Sequence, residues 1–132
     1  MKVYLSVPMI AGRALERARL MADVIGRGGH EVTSPWVLGE IERAAGSGVN
    51  VFERDRLAAE TSDVLVADVT APSTGVGMEI MAAFKAGRRV VLVARKGSVL
   101  SRMVLHMEKK ELVEFDDDRS LEEGLSAALG RS

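Results

Sequence analysis

The stretch from Asp63 to Glu79 restricts the possible folds of this chain more than any other. Asp63-Val-Leu-Val-Ala-Asp68 is apolar almost throughout, as a parallel strand covered on both faces must be. A turn rich in Pro, Ser, Thr and Gly follows, Val69-Thr-Ala-Pro-Ser-Thr-Gly75, and a helix is expected from near Gly75 to Ala86, closed by Gly87. A strand-to-helix turn of this kind presents unpaired N–H groups at the positive end of a helix dipole, which suits an anion. Glu79 lies about one turn inside that helix, where a carboxylate is expected to stay ionised, as a nucleophile must be. Two readings compete on local grounds. Ser73, Thr74 and the turn amides could cradle a phosphate, or the hydroxyls could simply cap the helix while Glu79 favours its dipole.

The remaining segments repeat the same alternation. Lys2-Val-Tyr-Leu-Ser-Val-Pro8 reads as a first strand, and Ala11 to Gly28 as an amphipathic helix with Leu15, Ala18, Met21, Ala22 and Ile25 on one face. Glu31 to Ser34 is a brief second strand ended by Pro35. Trp36 to Ala45 reads as a helix broken by Gly46-Ser-Gly48. Val49 to Ser62 reads as another, with Val51, Phe52, Leu57 and Ala58 inward and Asp55 in line with Val51, Phe52 and Ala59. Arg89 to Ala94 is a fourth strand, Ser98 to Glu108 a short helix and Leu112 to Phe115 a fifth strand. Ser120 to Leu129 is a last helix, capped by Ser120 with Glu123 three residues on. The pattern predicts one domain over residues 1–132. Its fold class is α/β, a three-layer Rossmann/flavodoxin-like fold with a five-stranded parallel sheet. Ligands of such sheets sit beyond the C-terminal strand ends. That places Ser6 to Arg13, Asp68 to Glu79, Ala94 to Ser101 and Trp36 on one rim.

Composition removes several function classes. The formal net charge of −1 argues against a nucleic-acid partner bound by phosphate neutralisation. With no cysteine there is no disulfide, thiolate nucleophile or Cys-ligated zinc. His30 and His106 fall in different elements and no acidic cluster has ligand spacing, so no metal is expected; Asp116-Asp-Asp118 reads as a solvated loop. No apolar run approaches the roughly 18 residues of a membrane span, and the N-terminus begins as a strand without a leader. The expected compartment is the cytoplasm. GxxxxGK[ST] and GxGxxG motifs are both missing, which leaves P-loop hydrolysis and dinucleotide binding without support.

The carboxylates carry more. Asp55 and Glu79 both sit on helices able to face the same rim, and a close carboxylate pair can cleave a glycosidic bond with one as nucleophile and one as acid/base. Each has a structural alternative: Asp55 as a solvent-facing partner of an arginine, Tyr4 and Trp36 as packing residues. Taken together with Val3-Tyr4-Leu5, Gly12-Arg13, Val99-Leu-Ser-Arg-Met103 and the Pro-Ser-x-Gly-Val-Gly-x-Glu core ending at Glu79, they resemble the 2′-deoxynucleoside 5′-phosphate N-hydrolases. These are relatives of the nucleoside 2-deoxyribosyltransferases, and the resemblance covers most of the chain.

The resemblance implies an enzyme that releases the nucleobase from 2′-deoxynucleoside 5′-monophosphates. Glu79 would be the nucleophile at C1′, Tyr4 would hold its carboxylate, and Asp55 would be the acid/base. Ser73, Gly75 and Arg13 would bind the 5′-phosphate side, and Trp36 would contact the base. Ser101 would reach a phosphate across a homodimer interface. No metal or organic cofactor is implied. One loop departs from the family pattern: Val7-Pro8 and Ile10 stand where a Gly-Ser pair and an arginine are usual, leaving Arg13, with Arg102 or Lys96 as possible substitutes. A sugar pocket lined by Met9 and Ile10 offers little to a 2′-hydroxyl, which favours deoxy substrates. A deoxyribosyltransferase, a CMP-type ribonucleotide N-glycosidase and a non-catalytic nucleotide sensor remain as alternatives.

Overall fold

The computed structural model describes residues 1–39 and 48–130. Five strands form one all-parallel sheet in the order β2-β1-β3-β4-β5: β1 (Lys2–Ser6), β2 (Glu31–Val32), β3 (Val64–Asp68), β4 (Arg89–Arg95) and β5 (Lys110–Phe115). The helices are α1 (Leu15–Arg27), α2 (Val51–Thr61), α3 (Thr74–Lys85), α4 (Arg102–His106) and α5 (Asp118–Leu129), with a 3-10 turn over Pro35–Leu38. This is the expected fold class. The switch in strand order falls between β1 and β3, so a crevice opens beyond their C-terminal ends.

Alternation along β1 divides the core. Val3, Leu5 and Val7 face α1 and α5, where they pack with Met21, Ile25, Leu121 and Leu125. Tyr4 points to the other face and packs with Ala59, Val76, Ile80 and Ala83 of α2 and α3. Ser6 shares the parity of Tyr4. β3 is buried at every residue, as its unbroken apolar sequence requires.

Several element ends differ from the sequence expectation. Gly12 takes φ +75°, which no helix interior allows, so α1 starts at Leu15 rather than Ala11. Asn50 caps α2 by accepting from the Glu53 N–H at 3.1 Å. A 3-10 turn replaces the first part of the helix expected from Trp36; its continuation to Ala45 lies outside the described residues, as do positions 46 and 47 of the expected break. α4 is only five residues long, Arg102–His106 within the expected Ser98 to Glu108, and Gly97 at φ +84° forms the turn that leaves β4. The cap of α5 is Asp117, not Ser120. Asp117 accepts from the Ser120 N–H and Ser120 Oγ accepts from the Asp117 N–H, a reciprocal capping box.

The inward assignment of α2 fails for three residues. Val51, Phe52 and Leu57 are exposed, and only Ala59 of this helix is buried. Met78 and Met81 of α3 are exposed as well. α2 and α3 pack on each other and leave an apolar outer face. No helix among the described residues is long and apolar enough to cross a membrane.

Candidate active site

At the crevice, two donors of β1 meet one carboxylate of α3. The Tyr4 hydroxyl donates to Glu79 Oε2, and Ser6 Oγ donates to Oε1 at 2.7 Å. Tyr4 and Ser6 are fully buried. Sequence reasoning gave Tyr4 this role and put Ser6 on the rim without assigning it one. The signal that finds it is strand parity, since residues two apart on β1 must face the same helix.

Glu79 does not titrate like a carboxylate at a helix N-terminus. Burial pushes its pKa up to about 7, against the lowering effect of the Tyr4 and Ser6 hydrogen bonds, and the nearby Asp55 carboxyl pushes it further up. The expectation of a plainly ionised group is corrected for a geometric reason. α3 begins at Thr74, so Glu79 stands in its second turn, beyond the reach of the end dipole. Burial, followed by the Glu79 charge, drives the Tyr4 phenol far above its ordinary range, so Tyr4 remains a donor.

Asp55, on α2, lines the same cleft as Glu79 and is close enough for its carboxyl to raise the Glu79 pKa. Its Oδ1 accepts from Arg54 Nε at 2.8 Å. Arg54, not singled out from sequence, lays its guanidinium 4.0 Å from the centre of the Trp36 ring. Trp36 also meets Tyr4 edge-on, with centroids 6.3 Å apart and planes at 63°.

The cleft over these groups holds about 450 Å³ and is lined by Met9, Ile10, Trp36, Arg54, Asp55, Ser73, Gly75 and Glu79 among others. Ser73 caps α3, its Oγ accepting from the Val76 N–H at 3.4 Å. That use leaves the hydroxyl hydrogen available to a ligand. Nothing lies within 4 Å of where a Cβ of Gly75 would stand, so a ligand can approach its backbone.

Other expected site residues lie elsewhere. Arg13 does not line this cleft; its Nη2 donates to the carbonyls of Val37, at 3.2 Å, and Gly39, at 2.6 Å. Lys96 pairs with Asp116 at 3.1 Å in an exposed bridge. Ser101 and Arg102 are exposed at the start of α4 and do not line the cleft. Arg54 is thus the one cation among the described residues of the cleft wall. Among the described residues, no three His, Asp or Glu side chains converge as metal ligands.

No family model matches the chain. A protein of Thermofilum pendens, provisionally named 2′-deoxynucleoside 5′-phosphate N-hydrolase 1, is 34% identical over 131 residues, covering 92% of this chain and 91% of the relative. A protein of Methanococcoides burtonii with the same provisional name is 33% identical over 110 residues, covering 80% and 89%. The 5-hydroxymethyl-dUMP N-hydrolase of Mus musculus is 42% identical over 65 residues, covering 48% of this chain and 38% of its own. Among solved structures, a CMP N-glycosidase of Clostridium botulinum superposes with TM-score 0.70 at 17% identity, covering 95% and 98% of the two chains. A 2-deoxyribosyltransferase of Bacillus psychrosaccharolyticus does so with TM-score 0.70 at 23% identity, covering 92% and 90%. The structural likenesses establish the common fold, and the sequence identity across nearly whole chains establishes the kinship. This chain is a member of the 2′-deoxynucleoside 5′-phosphate N-hydrolase family, a family of N-glycoside hydrolases.

Proposed function

We propose that this protein hydrolyses the N-glycosidic bond of 2′-deoxynucleoside 5′-monophosphates through a covalent glycosyl-Glu79 intermediate. The observation that carries the reading is the double grip of Tyr4 and Ser6 on Glu79, beside Asp55. A Glu79 oxygen attacks C1′, and the C1′–N bond electrons leave with the base as it takes a proton from Asp55. Water then adds to C1′, gives its proton to Asp55 and displaces Glu79, releasing 2-deoxyribose 5-phosphate. The two hydrogen bonds fix the carboxylate for attack, and the one on the oxygen that does not attack holds the carbonyl oxygen of the ester.

Ser73 and the first amides of α3, with Gly75 leaving them accessible, bind the 5′-phosphate. Met9 and Ile10 flank the sugar and offer its 2′ position no polar partner, while Trp36 borders the cleft beneath Arg54. Arg13 supports this wall from behind through Val37 and Gly39. The working form is a homodimer in which Ser101 of the partner subunit completes the phosphate site. Its support is the apolar outer face of α2 and α3, together with Val99 and Met103, 90% and 78% exposed, flanking Ser101.

Incubating the protein with each of the four common deoxynucleoside monophosphates and separating products by chromatography tests the reading. Free base is expected from at least one, and none after Glu79→Ala; no release from any of the four would sink it. A deoxyribosyltransferase is the second reading, favoured by a cleft wall whose described residues include no cation but Arg54. Thymidine, with adenine as acceptor, would then outperform TMP. CMP against dCMP decides the sugar.

A further inference from the structure

We propose that Trp36 and Arg54 act on the reaction through Asp55: the indole carries the Arg54 guanidinium, and the guanidinium sets the Asp55 carboxyl group against the leaving base. This rests on the proposed cleavage and assigns two positioning residues to it.

Adjacent positions on a helix point about 100° apart and do not ordinarily meet. Arg54 and Asp55 are adjacent on α2, yet Nε reaches Oδ1 at 2.8 Å. The Arg54 guanidinium lies over the indole as it reaches across, its Cζ 4.0 Å from the ring centre. Both partners of the bridge are largely shielded, with 23% and 20% of their side chains exposed, so the pair has a fixed geometry rather than that of a solvated surface pair. Trp36 Nε1 is buried and has no hydrogen-bond partner among the described residues; packing holds the ring, edge-on to Tyr4 on one side and under Arg54 on the other. The indole thereby touches both arms of the site, Glu79 through Tyr4 and Asp55 through Arg54. A ring face already covered by a guanidinium is closed to a nucleobase. Arg54, charged at any working pH, also faces the carboxylate left behind when Asp55 gives up its proton.

A double-variant cycle on the full chain separates this from a base platform. With the best deoxynucleotide as substrate, Trp36→Leu and Arg54→Met should each lower kcat by about ten- to a hundredfold, with KM nearly unchanged. The double variant should be no slower than the slower single one. Arg54→Lys, which keeps the charge without the planar fork, should recover part of the lost kcat. Thermal denaturation reports whether each variant folds. Should Trp36→Leu unfold, Trp36→Phe keeps an aromatic face and should show a small loss confined to kcat. A rise in KM for either Trp36 variant, or losses that multiply in the double variant, overturns the inference and makes the indole a base platform. A wild-type protein that releases no base from any deoxynucleotide fails the parent reading instead.

Discussion

Tyr4 and Ser6, two residues apart on β1, hold opposite oxygens of Glu79. One strand face thus fixes both the position and the plane of a carboxylate delivered by a helix. Burial makes that carboxylate costly to ionise, and the two hydrogen bonds recover part of the cost. The balance leaves Glu79 poised near neutrality.

Ser6→Ala should therefore move the acid limb of the kcat/KM profile. The limb reports loss of the ionised nucleophile as pH falls through about 7. A hydrogen bond to the ionised form lowers a pKa, so its removal raises the pKa and shifts the limb to higher pH. Tyr4→Phe should shift it further, because the Tyr4 bond lowers the Glu79 pKa more than the Ser6 bond does. Initial rates from pH 5 to 9 read both. An unmoved limb in both variants would dissociate it from Glu79.

Glu79→Gln should abolish turnover and stabilise the fold at alkaline pH. Glu79 is raised from 4.5 to about 7, so its neutral form is the one that folding favours. The fold carries no penalty from it below about pH 4.5 and a growing one as pH rises to 7, reaching on the order of 3 kcal/mol. Glutamine escapes that penalty. Urea denaturation at pH 5 and pH 8 should show a gain for the variant that is larger at pH 8. An equal gain at both would mean that Glu79 ionises without strain.

Much of this was legible in sequence. β1, β3 and β4 are apolar runs whose neighbours cannot be mistaken, and the turn before Glu79 announces a crossover to a helix. The α2 reading failed at Val51, Phe52 and Leu57 because periodicity reports that a face is apolar, not what covers it. Asp117 was hidden in an acidic run whose other members are solvated. Ser6 reads as a neutral strand residue until its parity with Tyr4 is considered. The titration of Glu79 is a tertiary property, since the burial that sets it comes from three elements distant in sequence.

Gly12 ties the first loop to the turn before α3. Its φ of +75° disfavours any side chain, and a Cβ there would stand 2.7 Å from the Ala71 Cβ. Gly12→Ala should destabilise the protein by about 1–3 kcal/mol and lift Met9 and Ile10 from the cleft, raising KM. Denaturation and steady-state kinetics read the two effects. Retention of both stability and KM would mean that the loops are not coupled.

The placement of Ser101 makes a prediction about mixed dimers. Ser101 is exposed and does not line the cleft of its own chain, so under the proposed assembly it serves the neighbouring site. Ser101→Asp would set a carboxylate against the substrate phosphate and inactivate the homodimer, and Glu79→Gln would inactivate it by removing the nucleophile. In a mixed dimer, the subunit carrying Ser101→Asp keeps its own Glu79 and receives the intact Ser101 of the partner subunit. Random reassortment of equal amounts makes about half the dimers mixed, each with one complete site, so about a quarter of wild-type activity should return. Phe52→Asp, on the apolar face of α2, should prevent the recovery by keeping the subunits apart. If Ser101 acts within its own chain, the complete set never occurs in one site and mixing restores nothing.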